Sequence, residues 1–231
     1  MTLGTPGLTG GLGHAMPPLL TLPAAAGLIR ARRAEFDPAA ALLVGVSGID
    51  AAGKGRVSAE LAAQLRAGGL RVAICGLAGW LNLPGIRYNR RDPGGHYYAH
   101  AYRLEPFVRD LLLPLRARRQ VDLVMHHADE ASEEFRLERI VHQDVDVILA
   151  EGHFLFRRDL REIYDLAFWV ECSFETALER AVARGQEGPM AGATRMAYQR
   201  INFPAQRAHF VRDLPGSTAD GWILNDFALG D

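Results

Sequence analysis

The chain has 231 residues, 48% of them apolar, with 26 basic against 27 acidic side chains. That length and apolar fraction support one sizeable α/β domain. The near-zero net charge argues against a nucleic-acid binder driven by clustered Lys and Arg, and no apolar run reaches the length of a membrane span.

Residues 1–18 are rich in Gly, Thr and Pro, a composition that buries little surface, so a tail is expected there and a single domain over 19–231. No basic region followed by an apolar core marks a signal peptide. Cys75 and Cys172 lack metal-ligand spacing, and two buried free thiols in a reducing cytoplasm are expected. From Leu19 to Phe36 a short helix is predicted, its role packing.

Ala41 to Ser58 reads A-L-L-V-G-V-S-G-I-D-A-A-G-K-G-R-V-S: a buried strand, a glycine-rich turn and a helix start. The pattern G-x-x-x-x-G-K runs from Gly48 to Lys54 in the strand-before, helix-after context that such a phosphate loop needs. Gly48 and Gly53 bracket the turn so that backbone N–H groups of Ile49, Asp50, Ala51 and Ala52 can face a polyphosphate. Lys54 then reaches the β- and γ-phosphates from a helix N-terminus, where the macrodipole also favours negative charge. The Ser or Thr expected next, whose hydroxyl helps hold Mg²⁺, is Gly55. Ser58 is the nearest substitute hydroxyl.

Val57, Leu61, Ala62 and Leu65 recur at helical spacing, and Gly68-Gly69 supplies a stop. Leu70 to Leu77 is the second strand, and a right-handed parallel crossover is the default for the strand-helix-strand unit. The irregular, aromatic Gly79 to Gly95 follows a strand end, where α/β folds place ligands, and Trp80, Tyr88, Tyr97 and Tyr98 are candidates either to stack on a base or to close the core. A long helical region is predicted over His96 to Arg119, bent or divided by Pro106 and Pro114. Val121 to His126 and Phe135 to Val141 form a hairpin around an acidic turn, with adjacent His126 and His127 pointing to opposite faces.

Val145 to Ala150 is a third apolar run and ends in Glu151-Gly152, placing a carboxylate where it can order a magnesium-bound water. Ala167 to Val170 is another strand, Ser173 is the expected N-cap of the next helix, and Arg180 and Arg184 lie off its apolar stripe. The segment 185–195, flanked by Arg184 and Arg195, has the character of a closing lid. A helix over Ala193 to Val211 and a strand over Trp222 to Leu224 complete the pattern.

Three segments together carry a resemblance: V-G-V-S-G-I-D-A-A-G-K-G, then G-W-L-N-L-P with R-D-P-G-G-H-Y-Y-A-H-A-Y-R, then L-A-E-G-H-F-L-F-R-R-D-L. From about Leu42 to Asn225 the chain resembles the uridine kinase-like branch of the phosphoribulokinase/uridine kinase P-loop family. The resemblance implies an α/β three-layer sandwich of P-loop NTPase type: a five-stranded parallel core, a small hairpin on the substrate side and a helical, arginine-bearing lid. It implies ATP and Mg²⁺, a small-molecule acceptor, and phosphoryl transfer to a hydroxyl, typically a nucleoside 5′-OH. On that pattern Trp80, Tyr88, Tyr97, Arg103, His126, His127 and Arg195 fall on the substrate side, and Arg180 and Arg184 on the nucleotide side. The sequence departs at Ala78, where such proteins carry a catalytic Asp, and at Arg184-Gly185-Gln186, where R-G-R is usual. A kinase of another alcohol such as a sugar or vitamin precursor, and a nucleotide-binding regulator without transferase activity, are the alternatives.

Overall fold

A computed structural model describes residues 16–185 and 191–226. Of the expected tail only residues 16–18 fall among them, and residues 186–190 of the expected lid lie outside.

The core is a six-stranded parallel sheet. Its strands are β1 (Leu19–Leu20), β2 (Leu42–Gly48), β3 (Val72–Gly76), β6 (Val147–Gly152), β7 (Leu166–Glu171) and β8 (Gly221–Leu224), in spatial order β1-β8-β7-β2-β6-β3. Every residue of β2 is buried, which is why the sequence shows a continuous apolar run there rather than an alternation. Its neighbours are β6, with Val46 opposite Glu151, and β7, with Gly48 opposite Val170. The phosphate-loop strand is thus central, as expected, and the carboxyl ends of β2, β3 and β6 open on one side.

The sheet has one strand more than the five expected. Leu19 and Leu20 pair with Trp222 and Ile223 of β8, although the sequence reading began a helix at Leu19. Two residues are too short to leave a strand period, and the helix α1 (Leu22–Ala34) starts only after Thr21, whose hydroxyl accepts from the Ala24 amide at 3.3 Å. The helix α2 (Lys54–Ala67) packs against α1 and buries Val57, Leu61, Ala62 and Leu65, with Gly68 at its C-cap.

The region His96 to Arg119 divides at residues 101–103, and again beside its prolines, after Pro106 and just ahead of Pro114. After the short α3 (Pro84–Arg87), α4 (Pro93–His100) ends ahead of residues 101–103, where Tyr102 bridges to Leu81; α5 (Leu104–Pro106), a π-turn (Phe107–Leu112) and α6 (Leu113–Arg118) follow. Pro106 sits in a first turn, where no N–H is needed. A wider π-turn precedes Pro114, the Leu113 amide donating to the Val108 carbonyl at its end.

Strands β4 (Val121–His127) and β5 (Arg136–His142) form the expected antiparallel hairpin, with Val121 opposite His142. Its mouth is tied to the loop after β3, where the Ala128 amide donates to the Gly79 carbonyl at 3.1 Å. Ser173 caps α7 (Phe174–Arg184), its hydroxyl accepting from Thr176 at 3.1 Å. The chain then continues through α8 (Ala191–Ala197), a second π-turn (Tyr198–Asn202) and α9 (Phe203–Asp213). Both cysteines are free and buried, and burial pushes the Cys75 thiol up to about 12. Among the described residues no helix is long and apolar enough to cross a membrane.

Gly48 has a different reason from the one the motif suggests. A Cβ there would lie 2.5 Å from the Val170 carbonyl oxygen on β7, so the glycine is required by close approach of two backbones. Gly48→Ala should therefore lower unfolding free energy by about 1–3 kcal/mol, the cost of forcing a methyl into packed backbone, as read by chemical denaturation.

Candidate active site

The turn between β2 and α2 is held by two left-handed residues, Ala51 at φ 57° and Gly53 at φ 85°. At Gly53 any side chain would also meet the Asn225 amide nitrogen, 2.2 Å from the position of a Cβ. That amide donates to the Ala52 carbonyl at 2.7 Å, while Arg56 donates to the Asn225 side-chain oxygen at 2.9 Å. The end of β8 therefore straps the loop from behind. Lys54 is buried and bends back across the loop, its Nζ donating to the Ile49 carbonyl at 2.8 Å. Burial lowers its pKa, partly opposed by the charges of Asp50 and Glu151.

A cavity of about 470 Å³ opens above this lysine. The phosphate loop contributes Asp50, Ala51, Gly53, Lys54 and Gly55; the loop after β3 contributes Ala78 and Leu81; the hairpin mouth contributes Asp129, Glu130 and Ala131; the end of β6 contributes Glu151, Gly152 and His153; and Tyr102 and Arg184 complete it. The sequence-predicted Lys54, Glu151, Ala78 and Arg184 thus share one cavity. Glu151 lies between two glycines: a Cβ on Gly55 would be 3.7 Å from its Oε2, and one on Gly76 would be 3.6 Å from its Oε1. The missing hydroxyl at position 55 leaves space against a carboxylate.

Asp50 does more than line the loop. Its Oδ2 accepts from the Tyr198 hydroxyl at 2.5 Å and from Asn202 at 3.2 Å, while Oδ1 lies 3.0 Å from His153 Nε2 and 3.7 Å from Arg184. Burial alone would raise its pKa, but His153, Lys54 and Arg184 outweigh it and hold the carboxyl well below the usual range. Burial, helped by Lys54, lowers the pKa of His153 against the pull of Asp50, so the imidazole is neutral near neutral pH. Its Nδ1 lies within hydrogen-bond distance of the Tyr102 hydroxyl, 2.8 Å away.

Other predicted residues lie elsewhere. Trp80 is buried against Phe107, edge to face. Tyr97 is also buried and stacks with the more exposed Tyr88 at 5.9 Å, and Tyr98 donates to Asp213 at 2.5 Å in the contact of α4 with α9. None of the four lines the cavity. Arg103 lies over the Trp80 and Phe135 rings, donates to the His126 carbonyl and lines a separate cavity; it braces the hairpin. His126 and His127 do diverge: His126 packs on Phe135 and is exposed, whereas His127 sits at the Gly79 loop, 2.7 Å from Glu138. Arg180 donates to the Asn225 carbonyl at 2.8 Å beside Gly53, and Arg195 is exposed on α8. Ser58 is buried on α2 with its hydroxyl unpaired and does not reach the cavity.

Sequence reasoning missed His153, Tyr102, Asp129, Glu130, Tyr198 and Asn202. His153 carried a local signal two residues beyond Glu151, as did Asp129 and Glu130 in the acidic turn and Tyr102 in the aromatic segment, but none had a spacing that tied it to the phosphate loop. The others are brought in by tertiary contacts from residues up to 152 positions away.

No protein-family model matches the sequence, and no curated protein matches it significantly. Solved structures do match in shape. A protein from Bacillus stearothermophilus described as a possible uridine kinase aligns with a TM-score of 0.63 and 20% identity over 85% of this chain and 99% of its own. The chain has the fold of the P-loop kinases. A candidate fructose transport system kinase from Silicibacter sp. aligns at 0.68 with 24% identity, covering 88% and 98% of the two chains, and a D-glycerate 3-kinase from Cryptococcus neoformans at 0.63 with 12%, covering 88% and 94%. At these identities the likeness concerns the fold, and there it bears out the resemblance read from the sequence.

The ionised Asp50 gives a pH-dependent prediction. A carboxylate with a depressed folded-state pKa adds stability above its unfolded value and loses it as pH falls through the folded value. The stability gap between wild type and Asp50→Asn should therefore be full at neutral pH and close below about pH 4. Thermal unfolding of both proteins across that range checks it; a constant gap would mean that Asp50 is not held ionised.

Proposed function

We propose that this protein is an ATP-dependent kinase that transfers the γ-phosphoryl group to a hydroxyl of a small molecule, a nucleoside 5′-OH being the acceptor that the sequence motifs favour. The observation that carries the reading is the buried Lys54 at the start of α2, sharing one cavity with Glu151 and with the hairpin mouth. Phosphoryl transfer asks the protein mainly for positioning and charge neutralisation. Loop amides and Lys54 would hold the β- and γ-phosphates once the lysine leaves the Ile49 carbonyl, and Arg184 would add a second positive charge from the lid side.

Mg²⁺ bound with the nucleotide would neutralise developing charge on the phosphates. The residues fit such an ion. Glu151 offers two carboxylate oxygens beside the open space at Gly55 and Gly76, suited to holding it through water. Among the described residues no group of three His, Cys, Asp or Glu forms a cage, in keeping with a magnesium site that relies on water and phosphate oxygens.

A sugar or other polyol is the second acceptor reading. It is favoured by the placement of Trp80, Tyr88 and Tyr97 outside the cavity, which leaves carboxylates, Tyr102 and His153 to meet the acceptor. Ala78 and Gly55 are what favour the third reading, a nucleotide-binding regulator.

ADP release measured over a panel of nucleosides and sugars with Mg²⁺ and ATP tests the proposal; no release with any acceptor, alongside intact ATP binding, would favour the regulator. Lys54→Ala should lower kcat/KM by on the order of 10²–10³, and unchanged ATP affinity together with unchanged turnover would remove the phosphate-loop assignment. Glu151→Gln should leave ATP affinity nearly unchanged and lower Mg²⁺-dependent turnover by about 10–100-fold, as loss of an outer-shell metal contact does. If that variant unfolds instead, Glu151 is structural.

A further inference from the structure

We propose that Arg87 and Arg103 are positioning residues of the acceptor site: each joins the loop after β3 to the hairpin mouth, and together they set the cavity wall that an acceptor meets. The proposal rests on the kinase reading above and deepens it, because it says which side chains hold the acceptor side in place.

The hairpin forms one wall of the cavity yet belongs to no larger sheet. Among the described residues β4 and β5 pair only with each other, while Asp129, Glu130 and Ala131 at their mouth line the cavity together with the phosphate loop and the end of β6. A two-stranded hairpin is marginal by itself. The place of its mouth therefore depends on what ties it down. Just past β4 a backbone bridge joins Ala128 to Trp80, with the Ala128 amide donating to the Gly79 carbonyl at 3.1 Å.

Two guanidinium groups reinforce that bridge, and both span the same two segments. Arg103 donates through Nε to the Leu81 carbonyl at 3.4 Å and through Nη2 to the His126 carbonyl. Its guanidinium carbon also lies 5.5 Å from the centre of the Trp80 ring, on the loop, and 4.7 Å from that of Phe135, on the hairpin side. Arg87 donates through Nη1 to the Asn82 carbonyl at 3.2 Å and the Asp129 carbonyl at 3.4 Å, and through Nη2 to the Glu130 carbonyl at 2.8 Å. The same Nη2 lies 3.2 Å from Glu130 Oε2.

Burial marks the importance of the joint. Arg87 is 1% exposed, and a cation is taken that far from water only where acceptors meet it. Here they are backbone carbonyls of both segments and one carboxylate. The loop is itself fixed to the end of α4: the Asn82 amide donates to the Ala101 carbonyl and its side-chain nitrogen to the His100 carbonyl, both at 2.8 Å, and the Arg103 amide donates to the Trp80 carbonyl at 2.9 Å. Leu81 and Tyr102, the chain neighbours of Asn82 and Arg103, line the cavity. The two arginines thus hold the mouth in register with residues that face the same space. Lysine cannot replace either, since an ammonium has neither a fork to reach two segments nor a flat face to lie on rings. None of these contacts involves the phosphate loop, so loosening them acts on the acceptor and spares ATP.

The test compares wild type, Arg103→Lys and Arg87→Lys by hydrogen exchange, by ADP release with the best acceptor of the panel, by ATP calorimetry and by thermal unfolding. In each variant the amides of residues 126–131, Ala128 above all, should exchange about tenfold faster or more, as loss of a charge-assisted hydrogen bond allows, while those of β2 and β6 keep their rates. Acceptor KM should rise by about tenfold or more, with ATP affinity unchanged and kcat altered less than KM. If Arg87→Lys unfolds, Arg103→Lys decides, because Arg103 is only partly buried. A raised KM with wild-type exchange at the mouth overturns the proposal, since it marks direct contact with the acceptor. An unchanged KM with faster exchange overturns it too, as does a loss of ATP affinity equal to the rise in KM, the mark of general loosening; all three leave the kinase reading standing. A wild type that binds ATP yet phosphorylates nothing overturns the kinase reading and the acceptor role with it.

Discussion

The charge of Asp50 is the constraint around which the site is assembled. A buried carboxylate left without partners would cost several kcal/mol, and this one meets four, drawn from α7, the π-turn after α8 and the end of β6. The phosphate loop is thereby joined to the helical segment on one side and to the strand bearing Glu151 on the other. Arg184, which the resemblance places on the nucleotide side, shares its charge with Asp50 and the Tyr198 hydroxyl.

Behind the loop a second, neutral constraint acts. Asn225 accepts from Arg56 and donates to Ala52, and it occupies the space that any side chain at position 53 would need. A left-handed residue that is not glycine, as Ala51 is in this turn, is strained unless the surroundings over-determine it. The strap from β8 and the salt-linked Asp50 do so from opposite ends.

The cavity is rich in negative charge, with Asp50, Asp129, Glu130 and Glu151 set against Lys54 and Arg184. On the proposed kinase reading, such a lining would disfavour free polyphosphate and favour a metal-complexed one, whose net charge is smaller. On the same reading it would favour acceptors that are neutral and present hydroxyl groups, since those can donate to carboxylates without repulsion. The two departures from the motif pattern, Gly55 and Ala78, both remove bulk from this lining, and in each case a carboxylate from another element faces or shares the space.

The amino-acid sequence by itself determined the α/β class, the central buried strand, the phosphate loop from Gly48 to Lys54, the hairpin and the Ser173 cap, because each is written in contiguous residues as period, turn chemistry or a local hydrogen bond. It also marked Lys54, Glu151 and Arg184, whose types and positions at strand and helix ends carry chemical meaning. Tertiary structure alone decided the rest. The edge strand Leu19–Leu20 exists only because β8 is beside it. Trp80 and Tyr97 are buried, and Arg103 is drawn into bracing the hairpin, by packing that no local pattern records. Asp50 meets Tyr198 across 148 positions and Arg87 meets the Glu130 carbonyl across 43. Such pairs depend on how parallel strands and their crossovers bring distant segments to one sheet edge, and linear spacing holds no trace of that distance in space.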